Sequence, residues 1–73
     1  MPQVNLCIVV APGGLRIRTQ PSTGSEIVWK APPGTTLNYF EVVRGEFIEG
    51  NPEWGHSVED HYYWMGGTQS KSE

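Results

Sequence analysis

Two histidines and three carboxylates lie within nine residues in the second half of the chain. His56 and His61 accompany Glu53, Glu59 and Asp60. A histidine beside a carboxylate can bind a metal ion or transfer a proton near neutral pH. Two histidines fall short of the four ligands of a structural zinc site, so we interpret them as surface residues on neighbouring strands. We predict no metal site and no cofactor.

The side chains that could act as nucleophiles lack activating neighbours. The single cysteine, Cys7, lies in an apolar segment without nearby basic residues. Ser57 follows His56 directly, and adjacency in sequence does not aim a base at a hydroxyl group. The chain also has no HExxH motif, nucleophile elbow or phosphate-binding loop. The sequence therefore predicts a protein that is not an enzyme.

Aromatic residues offer a different chemistry, because a small core cannot enclose all eight of them. Exposed rings beside carboxylates and amides can stack on sugars or peptides and bind amines. We predict that Tyr39 and Trp54, with Tyr63 behind them, form one wall of a shallow groove beside the Glu53 carboxylate. The alternative is that these rings form cross-strand pairs that only stabilise a sheet.

Short segments of alternating polarity must position these side chains. Nine glycines and six prolines separate the segments, and this spacing is typical of an all-β domain. We expect strands at 4–10, 15–18, 26–31, 36–43, 46–49, 54–58 and 61–65. We expect a type II turn at Pro33-Gly34, hairpin turns at Arg44-Gly45 and Glu59-Asp60, and a break at Gly50–Glu53. Gly66-Gly67 should end the structure.

The alternation also predicts which side chains are buried. The shared two-residue period places Leu6, Ile8, Leu15, Ile17 and Ile27 in one core. On the last strand, Tyr62 and Trp64 should share one face and Tyr63 the other.

The order of several short motifs resembles the bacterial SH3-like (SH3b) domain family over roughly residues 3–68. The motifs are Leu15-Arg16-Ile17-Arg18 with Pro21-Ser22, Ile27-Val28-Trp29, Pro33–Leu37, Trp54 with Val58, and Tyr62–Met65 before two glycines. The resemblance implies a small SH3-like barrel of about five to seven short antiparallel strands. We expect the domain to span residues 1–68 and a disordered tail to span 69–73.

The same resemblance implies a function. A module of this family would bind cell-wall peptidoglycan or its peptide and target an attached hydrolase, which implies an extracytoplasmic or cell-wall location. A groove with an aromatic wall and a carboxylate would suit the free amine of a peptidoglycan stem. The alternative is a structural or regulatory interaction domain that packs against a neighbouring domain of a larger protein.

Charge and hydropathy further limit the classes of possible binding partner. The 73 residues carry a net charge of −3, and residues 41–60 hold six acidic side chains and one basic one. Because nucleic-acid binding needs clustered lysine and arginine, we predict no nucleic-acid partner. No segment approaches the ~20 apolar residues of a membrane span, and we expect no signal peptide here. We expect a monomer.

Overall fold

The fold is all-β, as predicted. A computed structural model describes residues 4–70. Its strands are β1 (Asn5–Val9), β2 (Leu15–Arg18), β3 (Ile27–Ala31), β4 (Thr36–Tyr39), β5 (Glu41–Ile48), β6 (Asn51–His56), β7 (Tyr62–Trp64) and β8 (Thr68–Ser70). A short 3₁₀ helix, Met65–Gly67, connects β7 to β8. The described residues thus form eight strands rather than the predicted five to seven.

The strands form two antiparallel sheets that enclose one core. One sheet has the order β4-β1-β8, and the other has the order β3-β2-β7-β6-β5. Buried side chains from both sheets meet between them, and the core consists of Cys7, Val9, Leu15, Ile17, Ala31, Leu37 and Tyr63. We call the side of the five-stranded sheet that faces this core its inner face, and the opposite side its outer face.

The predicted core was correct for β2 and wrong for β1 and β3. Leu15 and Ile17 are buried, whereas Leu6 is 45% exposed and Ile27 is 47% exposed. Ile8 is only partly buried. Strand β1 has apolar side chains on both faces, and its pairing with β4 and β8 turns the other face, with Cys7 and Val9, inward. Strand β3 is an edge strand, and only its last residue is buried.

The longest hairpin turns at a different place from the one predicted. Strand β5 continues through Arg44-Gly45, although its pairing with β6 shifts register between Arg44 and Ile48. The turn lies at Glu49-Gly50, between the paired residues Ile48 and Asn51. Both turn residues have positive φ, 51° and 81°, as in the two-residue turns that match the twist of paired strands. Of the predicted break at 50–53, Gly50 lies in the turn, whereas 51–53 begin β6.

Two other predicted turns are confirmed. Gly34 has a φ of 90°, and the Thr35 N–H donates to the Pro32 carbonyl over 3.2 Å, as a type II turn requires. The turn containing Asp60 joins β6 to β7.

The end of the described chain is paired rather than disordered. Strand β8 lies beside β1, with Cys7 opposite Ser70 and Ile8 opposite Gln69. This corrects the predicted tail for residues 69 and 70, and residues 71–73 lie outside the described part. This pairing provides hydrogen-bond partners for the backbone groups along the second edge of β1, as buried backbone groups require. Within residues 4–70, no helix is long and apolar enough to cross a membrane.

Candidate functional site

The site with the most varied chemistry is a cleft at the open end of the core, between β3, β4 and the turn 57–61. Its volume is about 350 Å³. We call it the acidic cleft, and its lining consists of Ile17, Trp29, Thr36, Leu37, Asn38, Ser57, Glu59, His61 and Tyr63. It combines an indole ring, a carboxylate, an imidazole, an amide and hydroxyl groups.

Buried side chains form the base of the acidic cleft. Ile17 and Leu37 come from the two sheets, and Tyr63 lies between them on β7. The Tyr63 hydroxyl donates to the Asn38 carbonyl over 2.9 Å and lies 3.4 Å from the Cys7 sulfur. Burial, followed by the hydrogen bond with Cys7, raises the pKa of Tyr63. The base is therefore a neutral phenol tied to β4.

The rim of the acidic cleft is open to solvent. Trp29 lies on the edge strand β3 and is 44% exposed. Glu59 is exposed and His61 is partly buried on the opposite side. An aromatic face and a carboxylate thus line the same concave surface.

Hydrogen bonds hold the turn that carries Glu59 and His61. The Val58 N–H donates to the Asn38 side-chain oxygen over 3.0 Å, which ties the turn to β4. The Ser57 hydroxyl accepts from the His61 N–H over 3.2 Å, and the Asp60 N–H donates to the Ser57 carbonyl over 2.9 Å. Asp60 has a φ of 66°, a left-handed conformation that aspartate tolerates better than most residues.

His56 lies just before this turn and contacts two carboxylates. Its Nδ1 is 2.7 Å from a Glu41 oxygen, and its Nε2 is 2.7 Å from an Asp60 oxygen. Burial lowers the pKa of His56, but the hydrogen bonds and charges of Glu41 and Asp60 outweigh burial and raise it. Among the described residues, no three His, Cys, Asp or Glu side chains converge as metal ligands would.

A second cleft, of about 310 Å³, lies against the outer face. We call it the basic cleft, and its lining consists of Ala11, Gly14, Leu15, Arg16, Arg18, Thr23, Ile48, Trp54 and Trp64. The loop 19–25 covers part of this face. Glu46 fixes the loop to β5, because its carboxylate accepts from the N–H and the hydroxyl of Thr23, at 2.8 and 2.7 Å.

The structure does not bring the four predicted site residues together, which corrects the expected groove. Trp54 is 1% exposed and its indole N–H donates to the Glu46 carbonyl over 3.0 Å. Tyr63 is equally buried. Trp54 pairs with Trp64 whereas Tyr63 pairs with Gly55, so Trp54 and Tyr63 lie on opposite faces of the sheet.

The other two predicted residues line neither of the two clefts. Tyr39 is partly buried against the core, and Glu53 is exposed on β6. Neither lines the acidic cleft. Of the four predicted residues, only Tyr63 belongs to that cleft, as part of its base.

Sequence reasoning missed the residues at the rim of the acidic cleft. From the sequence alone, Trp29 is placed only in a strand, and Glu59 is considered only as a turn residue and as a carboxylate near the two histidines. The available signal was the Glu59-Asp60 turn, which places acidic side chains and His61 at one end of a hairpin that contains Tyr63.

No family model, curated protein or solved structure matches this chain in the comparisons with known proteins. The geometry of the clefts and the order of the sequence motifs are therefore the basis for assigning a function to this chain.

Proposed function

We propose that this chain is a non-catalytic binding module of the bacterial SH3-like type, and that its acidic cleft binds a peptide with a free amine, such as a peptidoglycan stem. One observation carries the proposal. The exposed ring of Trp29 and the carboxylate of Glu59 line one concave surface of about 350 Å³. Concave sites with an aromatic wall and a few polar groups are the usual form of a ligand site.

Each part of the cleft has a role in this binding. The Trp29 ring would stack on the aliphatic part of the peptide, and the Glu59 carboxylate would accept hydrogen bonds from the ammonium group. Asn38 would act indirectly, because its side-chain oxygen holds the turn at Val58. An open rim with one exposed ring predicts weak binding, with a Kd roughly between micromolar and millimolar.

The contacts of the potential nucleophiles support a non-catalytic role. Cys7 is buried against the Tyr63 hydroxyl. The Ser57 hydroxyl is engaged by a backbone N–H, and both nitrogens of His56 contact carboxylates. None of these contacts pairs a nucleophile with a general base, which nucleophilic catalysis requires.

The wider role follows from the SH3b resemblance. In this role, the module holds an attached hydrolase against the cell wall, outside the cytoplasm. The all-β architecture and the loop 19–25, which follows the Leu-Arg-Ile-Arg strand and packs on β5, are consistent with an SH3-like barrel.

An exposed apolar row favours a second candidate function, packing against a neighbouring domain. Val4, Leu6 and Val10 lie in and beside β1, and each is about half exposed. We call these residues the β1 row. Contiguous apolar residues on a surface often mark an interaction site. In this alternative the module is a structural or regulatory interaction domain.

A chemical-shift titration with soluble peptidoglycan fragments tests the first proposal. We expect shifts at the Trp29 indole N–H, at 36–38 and at 57–61. Trp29→Ala and Glu59→Gln should each weaken binding about tenfold, since a stacked ring or a charged hydrogen bond is worth about 1–2 kcal/mol. Acetylation of the fragment's amine should weaken binding to the parent protein and have little further effect on Glu59→Gln.

Phe47→Ala is the control, because Phe47 is 64% exposed on β5 and does not line the cleft. It should bind the fragments as the parent does. If shifts cluster outside the cleft, or if the two cleft variants bind normally, the site is wrong. If no fragment binds, packing through the β1 row becomes the better function.

A further inference from the structure

His56 forms a bridge between β5 and the turn that walls the acidic cleft. Its Nδ1 contacts Glu41 on β5 and its Nε2 contacts Asp60 in the turn, both over 2.7 Å. An ionised carboxylate only accepts hydrogen bonds, and a neutral imidazole has a single N–H. Both contacts are therefore satisfied at once only when His56 carries a proton on each nitrogen.

The surroundings of the ring also favour the cation. The imidazole stacks on Tyr62 with ring centres 4.3 Å apart, and Phe40 packs at 4.6 Å on a tilt of 45°. A cation between aromatic faces is stabilised by the ring quadrupoles. The His56 side chain is 13% exposed, so water replaces these contacts poorly.

The titratable neighbours of His56 come from three elements. Glu41 lies on β5, Asp60 lies in the turn, and Tyr62 lies on β7. Arg18 on β2 pairs with Tyr62, but its guanidinium donates to the carbonyls of loop 19–25. The two carboxylates therefore make the largest contribution to the electrostatic field at His56.

Of the two carboxylates, Asp60 is the one that a neutral His56 would release. The Asp60 side chain is 85% exposed and the Glu41 side chain is 48% exposed. Water can therefore replace the hydrogen bond to His56 more readily at Asp60 than at Glu41. Asp60 lies between Glu59 and His61, both of which line the acidic cleft. Release of Asp60 would leave the segment that presents the Glu59 carboxylate held only by the hydrogen bonds at Ser57 and Val58.

We propose that His56 is a positioning residue for the acidic cleft: its doubly protonated ring fixes the 57–61 turn through Asp60 and makes peptide binding depend on pH. This inference rests on the proposed function of the cleft. Because the pKa of His56 is raised above 6.5, the contact between His56 and Asp60 is fully present below pH 6.5. This contact is lost as the pH rises through that raised pKa. Binding should weaken over the same range.

The first experiment needs no ligand. The ring C–H signals of His56 and the amide signals of residues 57–61 are followed by NMR from pH 5 to pH 9. We expect the amides of 59–61 to titrate together with the His56 ring, with a midpoint above 6.5. Amides that stay constant while the ring titrates would overturn the proposal.

The second experiment measures, over the same pH range, the Kd of an N-terminally acetylated, lysine-containing peptidoglycan stem peptide, in which the lysine side chain carries the sole amine. The lysine ammonium keeps its charge there, so changes in affinity come from the protein. We expect the affinity to fall about fivefold or more as His56 loses its proton. The variant His61→Gln should keep this dependence, which separates His56 from the histidine in the cleft.

Asp60→Asn is the decisive variant. Asparagine tolerates the positive φ at this position, and its amide can accept from or donate to Nε2, so it can pair with either form of His56. The turn should stay folded and the affinity should no longer depend on pH. An unchanged pH profile in Asp60→Asn would overturn the proposal. If the amides titrate as expected but no peptide binds at any pH, the coupling of His56 to the turn is supported and only the binding function fails.

Discussion

The two faces of the five-stranded sheet each carry a tryptophan at a cleft, but the two tryptophans differ in their exposure to solvent. On the inner face, Trp29 lies on an edge strand and is 44% exposed beside Glu59. On the outer face, Trp54 lies on an interior strand and is 1% exposed, because loop 19–25 and β5 enclose it. The same residue type is a candidate binding surface in one place and a packing element in the other. What covers the sheet decides the role.

Trp54→Ala should produce the largest contrast with Trp29→Ala. Removal of a fully buried tryptophan leaves a cavity and should lower the free energy of unfolding by about 3–5 kcal/mol. Trp29→Ala should lower it by about 1 kcal/mol or less, since much of that ring is already in water. Urea unfolding of both variants measures the difference. Equal losses would mean that the two faces are equally covered.

Gly45→Ala tests the loop that covers Trp54. A Cβ at Gly45 would lie 2.6 Å from the Pro21 Cβ and 2.8 Å from the Trp54 ring, so the loop or the ring must move. We expect a loss of about 1–3 kcal/mol in unfolding free energy, as in other overpacked sites. Gly24→Ala in the same loop is the control, because its nearest neighbour would be a Ser22 oxygen at 3.9 Å. A loss as large in Gly24→Ala would indicate a general effect of stiffening the loop.

The smallest effect should come from Glu46, which fixes the loop from outside. Hydrogen bonds from the backbone N–H and then the hydroxyl of Thr23 hold the pKa of Glu46 below 4.5. A lowered folded-state pKa stabilises the fold above pH 4.5, and this stabilisation is lost as the pH falls through the lowered pKa. Glu46→Gln should therefore reduce the difference in stability between pH 7 and pH 3.

Thermal unfolding at the two pH values measures this difference. Glu53→Gln is the matched control, since Glu53 is also exposed on a neighbouring strand and its side chain makes no hydrogen bond among the described residues. A pH dependence that is the same in Glu46→Gln as in the parent would show that Thr23 does not hold this carboxylate.

The sequence predicted the parts of the fold that depend on local chemistry. The all-β class, the β2 core residues Leu15 and Ile17, and the turn at Pro33-Gly34 are all confirmed. In each case a short pattern specifies the outcome, either an alternation with one apolar face or a turn that needs positive φ.

The sequence could not predict what depends on distant partners. Strand β1 is apolar on both faces, so only its pairing with β4 and β8 decides that Cys7 and Val9 are buried. Trp54 was assigned to a groove because nothing near it in sequence shows that Pro21 and Thr23 fold over its face of the sheet. The candidate site instead contains Trp29 and Glu59, which are distant in sequence and share a cleft only in the folded chain.

The position of β1 between β4 and β8 has a consequence for the order of folding. The hairpins β2–β3, β5–β6 and β6–β7 join neighbouring segments and can form early, since short loops close quickly. The Cys7 sulfur, in contrast, meets a side chain 56 residues away, and β1 gains its second neighbour only from the last described residues. During synthesis on a ribosome, one edge of β1 would stay unpaired until residues 68–70 had emerged. Such an edge is where strands of different molecules can pair wrongly. In the folded protein, the polar strand Thr68–Ser70 covers this edge.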